Sequence, residues 1–515
     1  MIRVTGQKWW ALGTLSLAVV AVGLDGTVLS VALPTLAGAL RASESDLQWF
    51  SSGYLLALAA AMLPAGLLGD RYGRRKVMLT ALALFGAASA ACAFCSTPAE
   101  FIAARCVLGA AGAGVIVMAL STLTVLFTER ERPKAVGVWA AANFLALPVG
   151  PILGGWLLTH YWWGWVFLIN VPVVLLGLIA LALLVPESRA PQRPALDLVG
   201  VLASTLGLVI LTFGMVEAGR HGWGQIGAWG WMLLGVAVLI LFFSYERRLS
   251  LRPGGEPLID PALFDSASYI WGVILVAVAV LAMLGVLFTM PQYFQGVLGT
   301  DAMGSGTRLL PLIGGLIIGV APADLVVQRV GAKLTAAGGF ALLGGGLLLG
   351  ASTSLGSSDL FVAAWMTLVG AGMGLALATT STAALSELPQ ERSGVGSAAL
   401  QAVNKVGGQF GSAVLGSVLA AVYQAHLNST GLPAAALGPA RDSVFGAVRV
   451  ARQLGSSSLL ASARGAFVDG MDAALVVSAG ISVVGLVLAL LFLPARSAIL
   501  TPDASQEGAA YAETG

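Results

Sequence analysis

Hydrophobic positions along this chain gather into long runs, interrupted by short segments that carry the charges and many of the prolines. A run of about twenty apolar residues is what a helix needs to cross a bilayer. Fourteen such runs begin near Trp9, Leu47, Val77, Glu100, Val136, Trp163, Leu198, Ile226, Ile270, Met303, Leu334, Leu360, Gly394 and Ala473. The pattern predicts an all-α polytopic membrane protein with 14 transmembrane helices. An even count puts both termini on one side of the membrane.

Composition removes the soluble alternative. Of 515 residues 57% are hydrophobic and only 10% charged, too few charges to cover a water-facing surface. Arg3 and Lys8 before the first run imitate a signal peptide, but that run is too long and too many others follow it. Positive charge then sets the orientation. With the N-terminus inside, eighteen of the 27 Lys and Arg residues fall in cytoplasmic segments, while the short outer loops hold only Arg41 and Arg220. Both termini are therefore expected on the cytoplasmic side of an inner membrane. The net charge of +2, without a basic stripe, argues against a nucleic-acid partner. Cys92 and Cys95 have C-x-x-C spacing, yet no histidine cluster or second pair completes a metal or redox site, so the three cysteines read as small apolar helix residues.

The two ends of the chain resemble each other. "RYGRR" from Arg71 recurs as "RVGAK" from Arg329, "ERPKAVG" from Glu131 as "ERSGVG" from Glu391, and Gly112 to Gly114 as Gly372 to Gly374. Gly150 and Gly154 correspond to Gly407 and Gly411. A nearly constant offset in the same order indicates two parallel six-helix halves, residues 9–185 and 270–494, with two inserted helices at 197–245. A long outer loop, 424–470, is read as a loosely ordered connector, with a surface amphipathic helix in "DSVFGAVRVARQL" as the alternative. Residues 495–515 form a cytoplasmic tail.

Against this background three embedded charges stand out. A charge in mid-bilayer costs about 2.5 kcal/mol or more, so such residues face a cavity or a partner. Asp25 lies about 13 Å in from the outer end of the first run, and Arg105 about 10 Å in from the outer end of the fourth, by a rise of 1.5 Å per residue. They can reach the same level; otherwise Arg105 is a snorkelling residue near the interface. The repeat maps them to Leu284 and Trp365, so the charges belong to the first half alone. Lys405, about 16 Å into its run, is near mid-membrane, and either faces a cavity or pairs with a buried carbonyl or carboxylate.

Four motifs in register resemble the Major Facilitator Superfamily, in its fourteen-helix drug:proton antiporter branch. "GLLGDRYGRRK" (Gly66 to Lys76) resembles the loop between helices two and three, "GPILGG" (Gly150 to Gly155) the antiporter motif of helix five, and "LDGTVLSVALP" and "WVFLINVP" the signatures of helices one and six. The resemblance implies gating roles for Gly66, Asp70, Arg71, Gly73 and Arg74, with the loop latching the two halves. It implies an outer seal at Gly150, Pro151, Gly154 and Gly155, where glycines one turn apart admit a neighbouring helix and the proline permits a bend. It also implies proton coupling by Asp25 and Arg105, and a substrate cavity with Ser30, Trp49, Tyr54, Asn143 and Lys405 as candidates. The sequence departs from the family pattern at Ser30, at Leu108 three residues after Arg105, and at Gly164.

The expected protein is thus a proton-coupled exporter of small amphiphilic compounds such as drugs or natural products. It would work by alternating access, with protons and a small-molecule substrate as partners, a lipid surround, no cofactor or metal, and a monomeric state. An importer is the alternative within transport, and "GPILGG" speaks against it. A receptor or membrane enzyme would need a catalytic cluster or soluble domain that the chain does not carry, and the absence of a P-loop disfavours ATP-driven pumping.

Overall fold

The computed structural model describes residues 4–42, 44–128, 131–189, 197–221, 226–252, 257, 266–386, 393–430 and 432–494. The first half contains α1 (Val4–Ala39), α2 (Glu44–Tyr72), α3 (Arg74–Phe94), α4 (Pro98–Leu126), α5 (Arg132–His160), and a sixth pass broken into α6 (Trp165–Leu168) and α7 (Asn170–Leu184). Two further helices follow, α8 (Leu198–His221) and α9 (Ile226–Ser250). The second half contains α10 (Ala267–Gln292), the broken pair α11 (Ala302–Arg308) and α12 (Leu310–Val320), α13 (Ala323–Gly350), α14 (Asp359–Ser386) and α15 (Ser393–His426). Two short helices, α16 (Ala434–Asp442) and α17 (Val444–Leu454), lead to α18 (Ser457–Phe492).

Twelve of the described helical segments are long and apolar enough to cross a membrane. Two expected passes fall outside that count. One is α5; the other is Gly304–Val320, which is shorter and interrupted at Leu309 before Pro311. The predicted tail, 495–515, lies outside the described residues.

The same neighbours recur in both halves. Helix α1 packs on α5 as α10 does on α15, α2 on α4 as α12 on α14, and α3 on α7 as α13 on α18. The repeat extends to backbone angles. Gly73 (φ 110°, ψ 129°) separates α2 from α3, and Gly331 (φ 84°, ψ 161°), its counterpart, kinks α13 at the matching place. Such angles are open to glycine and strained for other residues, which explains why the "RYG" and "RVG" triplets end alike. Helices α8 and α9 pair with each other, and α8 lies against α2 and α15, with the Thr205 hydroxyl donating to Ala60 O at 3.1 Å.

The expected outer connector is folded. Helix α15 ends at His426 and α18 begins at Ser457, well before the predicted start near Ala473. Ser456 caps α18 by accepting from Leu459 N, which lets the helix begin in a polar stretch that hydropathy alone passes over. Between them α17 buries Val444, Ala447, Val450 and Ala451, while the Tyr423 hydroxyl donates to Ala440 O at 2.8 Å. Its apolar stripe is directed at protein rather than at a lipid surface.

Candidate functional site: a buried ion pair beside a central cavity

Helices α1, α2, α4 and α5 of the first half and α10, α14 and α15 of the second enclose a cavity of about 400 Å³. Its walls are mostly Val, Leu, Ile, Ala and Gly. The polar lining comes from Thr27, Tyr54, Trp139, Asn143, Ser381, Gln401, Asn404 and Lys405. An apolar cavity with a few convergent polar groups is the usual form of a small-molecule site.

Asp25 and Arg105 meet. An Arg105 Nη1–H donates to Asp25 Oδ2, and both side chains are only 1% exposed. Arg105 is held from three sides: besides Asp25, its Nε donates to Phe50 O at 3.0 Å, and the guanidinium carbon lies 4.4 Å from the centre of the Tyr54 ring. A side chain buried in this way is not a snorkelling one. Asp25 Oδ1, in contrast, is buried without a hydrogen-bond partner among the described residues. The position follows from the packing of α2 on α4: the Cβ that Gly109 lacks would collide with Tyr54 O, so the glycine lets α4 close on α2 and bring Arg105 under Phe50.

The pair is set back from the cavity. Neither Asp25 nor Arg105 lines the cavity; Val22, Gly26 and Tyr54 do, and Tyr54 stands between the cavity and the pair. Helices α1 and α4 are apolar almost all round, so the sequence does not say which way a given position faces. Trp49 is also displaced from its expected role. It is 40% exposed near the start of α2 and is not in the cavity wall, as befits an aromatic residue at a membrane boundary. Tyr54, Asn143 and Lys405 do line the cavity, while the side chain of Ser30 lies outside the described residues. The salt bridges of the described residues do not include Lys405. Trp139 and Gln401 went unpredicted. Each stands four residues before a predicted one, Asn143 and Lys405, and the i, i+4 rule would have placed them on the same face.

Around the basic loop, Asp70 at the end of α2 forms an ion pair with Arg74 at the start of α3, 2.6 Å from Oδ1 to Nη2, with both side chains 2% exposed. The loop is tied to the exit of α7: Arg74 N donates to Ser188 O at 2.9 Å, Arg75 N to Glu187 Oε1 at 3.1 Å, and Arg75 Nη2 to Ala182 O. Gly73 has no room for a Cβ, which would meet Glu187 Oε1 at 2.6 Å. Gly66 is buried, and the Arg71 guanidinium lies 5.6 Å from the Tyr72 ring.

In α5 the glycines of "GPILGG" face α1. A Cβ on Gly150 would strike Thr27 Oγ1, and one on Gly154 would come within 3.0 Å of Val28 Cγ1. The Thr27 hydroxyl donates to Ala146 O at 3.0 Å and so staples α1 to α5. Gly155 is half-buried, and the side chain of Pro151 lies outside the described residues. The second half repeats the device: Gly407 and Gly411 of α15 admit Ala277 and Leu281 of α10.

The halves touch at the end carrying the basic loops. Arg132 of α5 donates from Nη1 to Leu385 O of α14 at 3.3 Å, and Gly137 abuts Val320 of α12. At the same end Lys8 Nζ lies 2.5 Å from Glu131 Oε1, and this hydrogen bond holds the Glu131 carboxyl below the usual carboxylate range.

Comparison with known proteins agrees with this fold. Residues 15–412 match the Major Facilitator Superfamily. The chain is 32% identical to the tetracenomycin C resistance and export protein of Streptomyces glaucescens, over 94% of this chain and 91% of that protein. It is 30% identical to the multidrug efflux pump LfrA of Mycolicibacterium smegmatis, over 94% and 97%. The fold is that of the proton:xylose symporter XylE, with a TM-score of 0.61 at 16% identity over 96% of this chain and 98% of that one.

Proposed function

This chain belongs to the Major Facilitator Superfamily, and we propose on that premise that it is a proton-coupled exporter of small amphiphilic compounds, working by alternating access as a monomer in the inner membrane with both termini cytoplasmic. The proton gradient is its energy source, and it takes no cofactor. Its similarity to an antibiotic export protein and a multidrug efflux pump supports the direction and the breadth of cargo.

The observation that carries the coupling is the buried Asp25–Arg105 pair, one side chain away from the cavity. A proton added to Asp25 neutralises it and removes the Coulombic reason for the pair. Arg105 is then left with Phe50 O and the Tyr54 ring, and Tyr54 transmits the change to the cavity wall. Cargo pressing on Tyr54 acts on the same equilibrium from the other side. Binding and protonation are thereby linked, and reciprocity requires each to alter the other's affinity by the same factor.

The test uses purified protein in proteoliposomes with an imposed pH gradient and a panel of fluorescent amphiphiles. Asp25→Asn mimics the protonated form: gradient-driven export stops, binding becomes independent of pH, and substrate-induced proton release disappears. A variant that still releases protons on binding and exports against a gradient would rule out the pair as the coupling device.

A further inference from the structure

Beside the amide oxygens of Asn143 and Asn404, the central cavity presents several uncommitted donors and a single charged side chain. Among the described residues that line it, Lys405 is the one charged side chain. The other embedded charges, Asp25 and Arg105, are paired with each other behind Tyr54, which leaves Lys405 without an opposite charge among the described residues of the cavity wall. Trp139, only 5% exposed, also lines the cavity, and its indole N–H has no acceptor among the described residues. An indole nitrogen can only donate. One turn before Lys405, Gln401 Oε1 accepts from Asn404 Nδ2 at 3.2 Å, which leaves the Gln401 NH₂ as a third donor in the wall.

Buried donors and an unpaired ammonium are costly until an acceptor arrives. We infer that the cavity is a binding site for amphiphilic organic anions, an aromatic or aliphatic body carrying one carboxylate, sulfonate or phenolate, with Lys405 as the counter-charge and the Trp139 N–H as a further donor to the acidic group. The apolar walls take the body. A cationic amphiphile meets the Lys405 charge with no carboxylate among the described lining residues to offset it, since Asp25 is already bound to Arg105. The inference rests on the cavity being the cargo site and goes further by fixing the charge of the cargo.

Two dyes of nearly the same frame make the probe: 1-anilinonaphthalene-8-sulfonate, an anion, and N-phenyl-1-naphthylamine, its neutral analogue, with ethidium as the cation. Equilibrium binding is measured on the full chain in lipid nanodiscs, with empty nanodiscs subtracted and no gradient applied. The wild type should bind the sulfonate at least about tenfold more tightly than the neutral dye, the scale of one charge-assisted hydrogen bond. Lys405→Met should abolish that preference and leave the neutral dye unaffected, which also reports that the variant is folded, and Lys405→Arg should keep it. Wild-type protein that binds ethidium or the neutral dye as well as the sulfonate overturns the inference, as does undiminished anion preference in Lys405→Met. Because no gradient is used, loss of transport with anion preference intact would count against the exporter reading alone.

Discussion

Tyr54 joins the Asp25–Arg105 pair to the cavity through three separate contacts. Its ring covers the Arg105 guanidinium, its hydroxyl donates to Val22 O at 3.4 Å, and its side chain forms part of the cavity wall. The hydroxyl contact is long and therefore weak; the stacked guanidinium is worth roughly 2 kcal/mol when desolvated. Tyr54→Phe should accordingly export at close to the wild-type rate. Tyr54→Ala removes the ring that separates the ion pair from the cavity, so export per proton should fall by about tenfold or more as protons pass without cargo. Proton flux into substrate-free proteoliposomes checks this, and tight coupling in Tyr54→Ala would show that the ring is only packing. The sequence made part of this site legible. Depth along α1 and α4 brought Asp25 and Arg105 to one level, because helical rise is fixed whatever the surroundings. Direction around the helix was hidden, because lipid and protein interior select the same apolar residues. Whether the pair faced the cavity or only each other was therefore left open, and it is Tyr54 that stands in the cavity wall.

At the scale of elements, the glycines of α5 are matched to α1 with unequal tolerance. Gly150 faces Thr27, whose single hydroxyl hydrogen is surrounded by three carbonyl acceptors, Ala146 O at 3.0 Å, Leu24 O at 3.1 Å and Gly23 O at 3.2 Å, so it has little freedom to move. Gly154 faces the methyl groups of Val28 at a distance that a small shift relieves. Overpacking of a tight contact costs about 1–3 kcal/mol. Gly150→Ala should therefore lose most export while still inserting, and Gly154→Ala should retain most of it; Gly154→Leu should fail. Export normalised to the amount of membrane-inserted protein is the measurement, and wild-type export by Gly150→Ala would mean that α1 and α5 need not stay close. Element identity was readable here because small residues spaced by four mark a close helix contact. The partner helix was not, since spacing along one chain says nothing about which neighbour fills the groove. The same limit hid the early start of α18, where a serine cap rather than hydropathy begins the helix.

For the whole molecule, the contacts at the basic end are the ones that alternating access must break. Arg132 reaches Leu385 O near the end of α14, where a helix leaves its last carbonyls without intrahelical donors, and Gly137 sits against Val320 without an intervening side chain. These contacts join the two repeated halves below the cavity. A transporter that rocks its halves about a central site must separate them once in every cycle. Cysteines at Gly137 and Val320, introduced after Cys92, Cys95 and Cys106 have been replaced, offer a reversible lock. The backbones approach closely enough for a disulfide: an ideal Cβ on Gly137 would lie 2.9 Å from that of Val320, inside the usual spacing of about 3.5–4.5 Å, so the helices must part by under about 1 Å to form it. Mild oxidation should stop transport almost completely, and reduction should restore it. Equilibrium binding of dye from the side opposite the lock should survive, because the cavity walls do not move. Oxidation should not change whatever transport each single-cysteine protein retains. Full transport by the oxidised double-cysteine protein would mean that the basic end stays closed throughout the cycle, and the cargo would then have to enter from the membrane, between α8 and the bundle, or by another lateral route.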